Sequence, residues 1–371
     1  MKILRIEAIP VLVPLKQGLT TKTAHGVHID SPYVIVRIHT DEGITGLGEA
    51  TLAPRWSGET STSCVTAIEQ IFSPLLVGKD PTHINQLRPI MEKALVNNPF
   101  TKAAIEMGLW DIAGKSVGKS LCQLLGGATR TEIPIKMVVG AFAVEKAVNL
   151  AEKFLDWGVL SLKVKVGLDP REDIDRVSAV HALASNNVTI GIDANGGWKP
   201  TVARDMMNRL AKFELLFAEQ PVAPMHLDAL AELRKISNIP IMADESIFTL
   251  SDAWNICKKN AADILSIYPG KHGGIYNTLE IANVAHAAGL SCHIGSNLEL
   301  GIGTAAMLQV AAISPSIESS TYPADLIGPL YHETDLLKNS LQLGPTTAKI
   351  PEGPGLGVEL DEKELDRWRV D

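Results

Sequence analysis

At 371 residues, with 46% hydrophobic side chains and four scattered cysteines, the chain can bury one large or two smaller globular cores and keep its thiols reduced. Its 34 basic and 42 acidic residues leave a net charge of −8 with no basic cluster, which argues against nucleic acid and against anionic membranes as partners. Met1 to Glu7 lack the apolar run of a signal peptide, and no stretch nears the ~20 apolar residues that span a bilayer, so a cytoplasmic protein is expected.

Ile3 to Val13, Tyr33 to His39 and Ile44 to Glu49 read as strands of an antiparallel meander, with Asp41-Glu42-Gly43 as a turn. The intervening Lys16 to Asp30 is polar and too long for a tight hairpin, which predicts a mobile lid or binding loop. Residues 60 to 125 carry helical periodicity. It is clearest from Lys102 to Lys115, where Ala104, Ile105, Gly108, Leu109, Ile112 and Ala113 share a face. After Arg130, seven short apolar runs alternate with amphipathic helices: Ile133 to Val139, Val159 to Val166, Val188 to Ala194, Leu215 to Ala218, Ile239 to Ala243, Ile264 to Tyr268 and Leu290 to Ile294. So many βα units predict a parallel sheet closed into a barrel, with an open doubly wound sheet as the lesser alternative. Gly353 to Leu360 reads as one more strand, returning to the first domain.

Charges that interrupt apolar strands are costly unless something uses them. Here Lys163 and Lys165, Asp193, Glu219, Asp244 with Glu245, Lys271 and Glu299 recur 25 to 28 residues apart, about one βα repeat. That places them at one height around the barrel end where active sites form. Asp193, Glu219 and Asp244 supply hard oxygen ligands suited to Mg²⁺ or Mn²⁺, with room left for a substrate carboxylate. Taken singly, each acid could equally serve in a salt bridge. Strand alternation turns Lys163 and Lys165 to the same face, where two close ammonium groups lower each other's pKa and one can act as a base. Lys271 approaches from roughly the opposite side. Together a cation and lysines can stabilise an enolate formed beside a carboxylate.

These residues, in Lys163-Val-Lys165, Asp193-Ala-Asn195, Glu219-Gln-Pro, Asp244-Glu245-Ser, Lys271-His-Gly-Gly and Ser296-Asn-Leu-Glu299, resemble the muconate-lactonizing subgroup of the enolase superfamily along essentially the whole chain. The resemblance implies an α/β fold: a modified (β/α)7β barrel over 131–325, an α+β capping domain over 1–130, and a C-terminal segment, 326–371, that returns to the cap. It further implies Mg²⁺ or Mn²⁺ on Asp193, Glu219 and Asp244, an acid/base pair of Lys165 and Lys271, and Lys163 assisting carboxylate binding. Asn195, Glu245 and Glu299 would stand around this centre, and similar proteins form dimers and octamers, implying a homo-oligomer.

Within that resemblance the reaction could be muconate-type cycloisomerisation, racemisation or epimerisation of N-acyl amino acids or dipeptides, or dehydration of the o-succinylbenzoate type. Similar dipeptide epimerases carry Asp-x-Asp after the last strand. The matching stretch here, Tyr322 to Pro329, holds the single acid Asp325 and is closer to the muconate cycloisomerase pattern, which favours a small dicarboxylate substrate. His25 and His28 on the lid, with Arg55 and Trp56 on a second loop, are expected at the substrate's distal end, the alternative being ordinary exposed loop residues.

Overall fold

Alternating apolar residues at the N-terminus bury one face of an antiparallel sheet. In the computed structural model, which describes residues 1–370, β1 (Ile3–Pro14) pairs with β4 (Asp30–Thr40), and β4 pairs with β5 (Thr45–Thr51). The 19-residue helix Pro99–Val117 lies against this sheet at very short range. A Cβ on Gly46 would stand 2.1 Å from the Gly108 carbonyl oxygen, and one on Gly48 would stand 1.8 Å from that of Ala104, so only glycine lets helix and strand meet. The periodicity suggested one buried face for this helix. Instead it is buried around most of its circumference from Phe100 to Gly114, because its far side packs on the barrel through Phe100 and Glu106.

The segment from Lys16 to Asp30, expected as a loop, contains a small hairpin of β2 (Thr21–Thr23) and β3 (Gly26–His28). Gly26, at φ +126°, permits its turn, and the Lys22 carbonyl accepts the Ala141 amide at 2.7 Å, which docks the hairpin on the barrel.

The βα rhythm becomes a parallel sheet in the order β7 (Met137–Val139), β8 (Ser161–Lys165), β9 (Thr189–Asp193), β10 (Ala218–Glu219), β11 (Ile241–Ala243), β12 (Ile264–Ile267), β13 (Ser291–Ile294). Residues 317–325 close the ring without regular strand geometry. Ile317 bridges Cys292 and Ala324 bridges Ile135, both in parallel sense. The molecule is thus an α/β protein, a modified (β/α)7β barrel beneath an α+β cap. The single strand expected from Ile133 to Val139 divides. β6 (Glu132–Pro134) turns away to pair with β14 (Thr347–Lys349), and the Ile135 amide still donates to the Thr346 carbonyl at 2.9 Å before Lys136 joins the barrel side at Ala324.

Gly353 to Leu360 forms turns rather than a strand. Gly353, Gly355 and Gly357 all adopt positive φ, and the Leu356 amide donates to Asp111 Oδ1 at 2.9 Å. The tail still reaches the cap, where Arg369 bridges Val11.

Two buried carboxyls of the cap lock it to the barrel by accepting the free N–H groups of barrel helices. Glu106 receives Ile275 N at 2.7 Å and Tyr276 N at 3.0 Å, at the start of helix Ile275–Ala287. Glu49 receives Leu300 N at 2.7 Å and Gly303 N at 2.9 Å, at the start of helix Gly301–Ile313. Each such cap contributes about 1 kcal/mol. The four cysteines are free, and no helix among the described residues is long and apolar enough to cross a membrane.

Candidate active site

Parallel register sets the first part of the site. Lys165 stands opposite Asp193 across β8 and β9, and Asp193 stands opposite Glu219 across β9 and β10. Glu219 is paired with Met242, so Asp244, two residues on, rises just beyond the strand end. Lys163, Lys165, Asp193, Glu219 and Asp244 line one pocket of about 90 Å³ between barrel and cap, with Asn195, Glu245 and Asp325. Val138, Leu298 and Ile327 give it an apolar wall, and Trp56 forms another part of its lining.

Lys165 Nζ donates to Asp193 Oδ2 at 2.5 Å and to Asn195 Oδ1 at 3.0 Å. Lys163 Nζ donates to Asp325 Oδ2 at 2.6 Å and to Glu219 Oε2 at 2.9 Å, and lies 3.4 Å from Asp193. The two lysines were expected to depress each other's pKa. For Lys163 the shift runs the other way: burial pushes its ammonium down, but attraction from Asp325, Glu219 and Asp193 holds it well above the usual lysine range.

Lys271 and Glu299 depart from the equal-height expectation. Pro269 starts a one-turn helix, Pro269–His272, after β12, and Lys271 folds back fully buried. Its Nζ donates to Asp244 Oδ1 at 2.5 Å and to the Ser266 carbonyl at 2.7 Å, so it lies behind Asp244 and does not line the pocket. Glu299 follows β13 in an irregular segment, buried, where it accepts Ser296 Oγ at 2.6 Å, and burial pushes its carboxyl up to about 7.

The acids carry surplus negative charge. Burial and then Asp193 push Glu219 up to about 8, and burial lifts Asp244 to about 6. Among the described residues no three His, Cys, Asp or Glu side chains stand in metal-ligating geometry, because each of these acids turns an oxygen to a lysine. The donor set itself, three buried carboxyls of which Asp193 raises the proton affinity of the other two, is the chemistry a divalent cation satisfies.

From the cap, His25 Nε2 meets Glu245 Oε1 at 2.9 Å, and that contact raises the His25 pKa. Glu245 Oε1 also accepts Asn195 Nδ2 at 2.9 Å, while its buried Oε2 has no partner. His28, held neutral chiefly by burial, lines the pocket with Thr21 and Thr23. Trp56 closes one side against Phe100, Phe248 and Tyr268. Arg55 was expected beside the substrate. Its guanidinium instead donates to the His25 carbonyl at 2.6 Å and lines a neighbouring cleft with Val27 and Ser31.

Sequence reasoning missed Lys136, His293, Ser296 and Asn297. Lys136 interrupts Ile133 to Val139, and His293 interrupts Leu290 to Ile294, so the rule that singled out the other charges would have found both. Ser296 and Asn297 stood in the Ser296-Asn-Leu-Glu299 motif, but only its glutamate was assigned a place at the centre.

Residues 5–126 match the model of the mandelate racemase/muconate lactonizing enzyme N-terminal domain, and residues 146–364 match the enolase C-terminal domain-like model. Muconate cycloisomerase 1 of Rhodococcus opacus is 33% identical, covering 97% of this chain and 95% of its own. The crystal structure of N-succinyl Arg/Lys racemase from Bacillus cereus superposes with a TM-score of 0.96 at 31% identity, over 100% of this chain and 99% of that one. Muconate lactonizing enzyme from Pseudomonas fluorescens, complexed with muconolactone, gives 0.94 at 30% identity over 99% of both chains. Cycloisomerase and racemase relatives are thus equally near, and what they share is isomerisation: this chain belongs to the mandelate racemase/muconate lactonizing enzyme family of the enolase superfamily and is an isomerase.

Proposed function

We propose that this isomerase is a muconate-type cycloisomerase acting on a short dicarboxylate. The setting of Asp325 carries the reading: both its oxygens face lysines, Lys136 and Lys163, so it offers no carboxylate to a substrate ammonium.

One carboxylate of the diacid would lie against Lys163, with the imidazoles of His25 and His28 and the hydroxyls of Thr21 and Thr23 available to the other end. Asp193, Glu219 and Asp244 would hold Mg²⁺ or Mn²⁺, which when bound supplies positive charge to the carboxylate that becomes an enolate. An oxygen of one carboxylate adds to the double bond conjugated with the other. The C–O bond forms, and the π electron pair moves into the second carboxylate as an enolate. Lys165, oriented by Asp193 and Asn195, then gives its proton to the α-carbon. Lys271, behind Asp244, adds fixed positive charge from the other side. Trp56, packed against three aromatic rings, keeps water away from the enolate.

The test is turnover of muconate, followed by loss of its conjugated absorbance, in enzyme stripped with EDTA and resupplied with Mg²⁺ or Mn²⁺. In D₂O the lactone should carry one deuterium at the protonated carbon. No reaction with muconate, together with deuterium exchange and inversion of N-succinyl amino acids, would replace this reading with a racemase. Indifference to EDTA would remove the cation from it.

A further inference from the structure

Beneath Lys163 lies a second enclosed ammonium that the chemistry above does not use. Lys136, on the link between β6 and β7, is 0% exposed. Its Nζ donates to the Pro323 carbonyl at 2.6 Å, contacts His293 Nε2, and stands 3.1 Å from Asp325 Oδ1. Its backbone amide also donates to the Ala324 carbonyl at 3.0 Å. His293 is fully buried on β13, and its Nδ1 has no partner. One carboxylate thus bridges two lysines, with Asp325 Oδ1 toward Lys136 and Oδ2 toward Lys163.

Burying an ammonium is expensive, and for stability alone an apolar side chain of similar size does as well or better. Burial lowers the Lys136 pKa, to about 8, against the opposing attraction of Asp325. Burial alone would raise the Asp325 carboxyl. Lys136 first, and then Lys163, overcome that and keep it well below the usual carboxylate range. The cost is therefore met in one place, at a carboxylate whose other oxygen holds Lys163.

We propose that Lys136 is a positioning residue: it pins Asp325 in the ring-closing segment 317–325, so that Asp325 holds Lys163 at the height where the substrate carboxylate binds. This rests on the reading above only in assigning that carboxylate to Lys163. Without Lys136, Asp325 is free to turn, and Lys163 follows it or shifts toward Glu219.

The test is a double-mutant cycle of Lys136→Met and Asp325→Asn in the full-length enzyme. It is read by nitrogen-15 NMR of the lysine ammonium groups, with Lys163 assigned from Lys163→Met, and by steady-state kinetics on muconate. Lys136→Met should move the Lys163 resonance and raise KM about tenfold, while kcat falls less than about threefold. In the Asp325→Asn background the same change should leave the resonance in place and alter KM by less than about twofold. Equal effects in both backgrounds, or a Lys163 resonance unmoved by Lys136→Met, would overturn the proposal. Should Lys136→Met alone fail to fold, comparison of Asp325→Asn with the double variant decides: matching resonances support the proposal, and differing ones refute it. The NMR arm needs no substrate, so an enzyme inert toward muconate sinks the cycloisomerase reading and still decides the role of Lys136.

Discussion

The barrel end and the capping hairpin both face the pocket but are held there by different means. Around the barrel, Lys165, Asp193 and Glu219 are fixed by strand register, each opposite the next, so the backbone ladder itself sets their spacing. The β2–β3 hairpin reaches the same pocket through a few contacts: Lys22 to Ala141, His25 to Glu245, and Arg55 to the His25 carbonyl. Groups on a shared sheet lose little freedom when substrate binds, whereas a hairpin held at a few points can move as a unit. The proposed chemistry thus lies on the side fixed by strand register, and the proposed fit to the substrate's far end on the hairpin.

The comparison breaks most visibly at Lys165. Lys165→Met should lower kcat by about a thousandfold or more with circular dichroism unchanged, the range expected for loss of a proton donor; a fall under tenfold would move the proton transfer elsewhere.

Glu49 tests the joint between the two regions. Burial raises its carboxyl from 4.5 to about 7, so between those values the folded protein binds more protons than the unfolded chain. Stability is then greatest below about 4.5 as far as this group is concerned, and it falls by about 3 kcal/mol as pH rises to 7. Urea unfolding across that window should show Glu49→Gln losing this slope relative to the parent; parallel profiles would mean that Glu49 is not protonated in the fold.

On the hairpin, His25→Ala should raise KM about three- to tenfold with a smaller change in kcat, since it removes the contact to Glu245 and a polar group lining the pocket. Arg55→Ala, which takes away only an exposed brace on the His25 carbonyl, should change KM by about twofold or less. If the Arg55 variant proved the worse of the two, the hairpin would be held from outside rather than through the pocket.

Much of this architecture could be read from the chain because the βα repeat is periodic and a charge in an apolar strand is conspicuous. The seven parallel strands are visible that way, and so is the clustering of Asp193, Glu219 and Asp244, whereas the cap was implied by the family resemblance. Features that depend on one side chain meeting another from a distant segment were not visible. Lys271 lies behind Asp244 because a proline starts a helical turn there, and Arg55 is taken up by the His25 carbonyl of a hairpin docked on the barrel.

The pattern of apolar runs and interrupting charges was enough to specify a barrel carrying three acids and two strand lysines at one end, since hydrogen-bond register and strand pleat are local and repetitive. Tertiary structure alone decided the rest. It set the sign of the Lys163 shift and the bridging of Lys136 and Lys163 by Asp325, because electrostatics depend on every group that packs around a point and not on its neighbours in the chain.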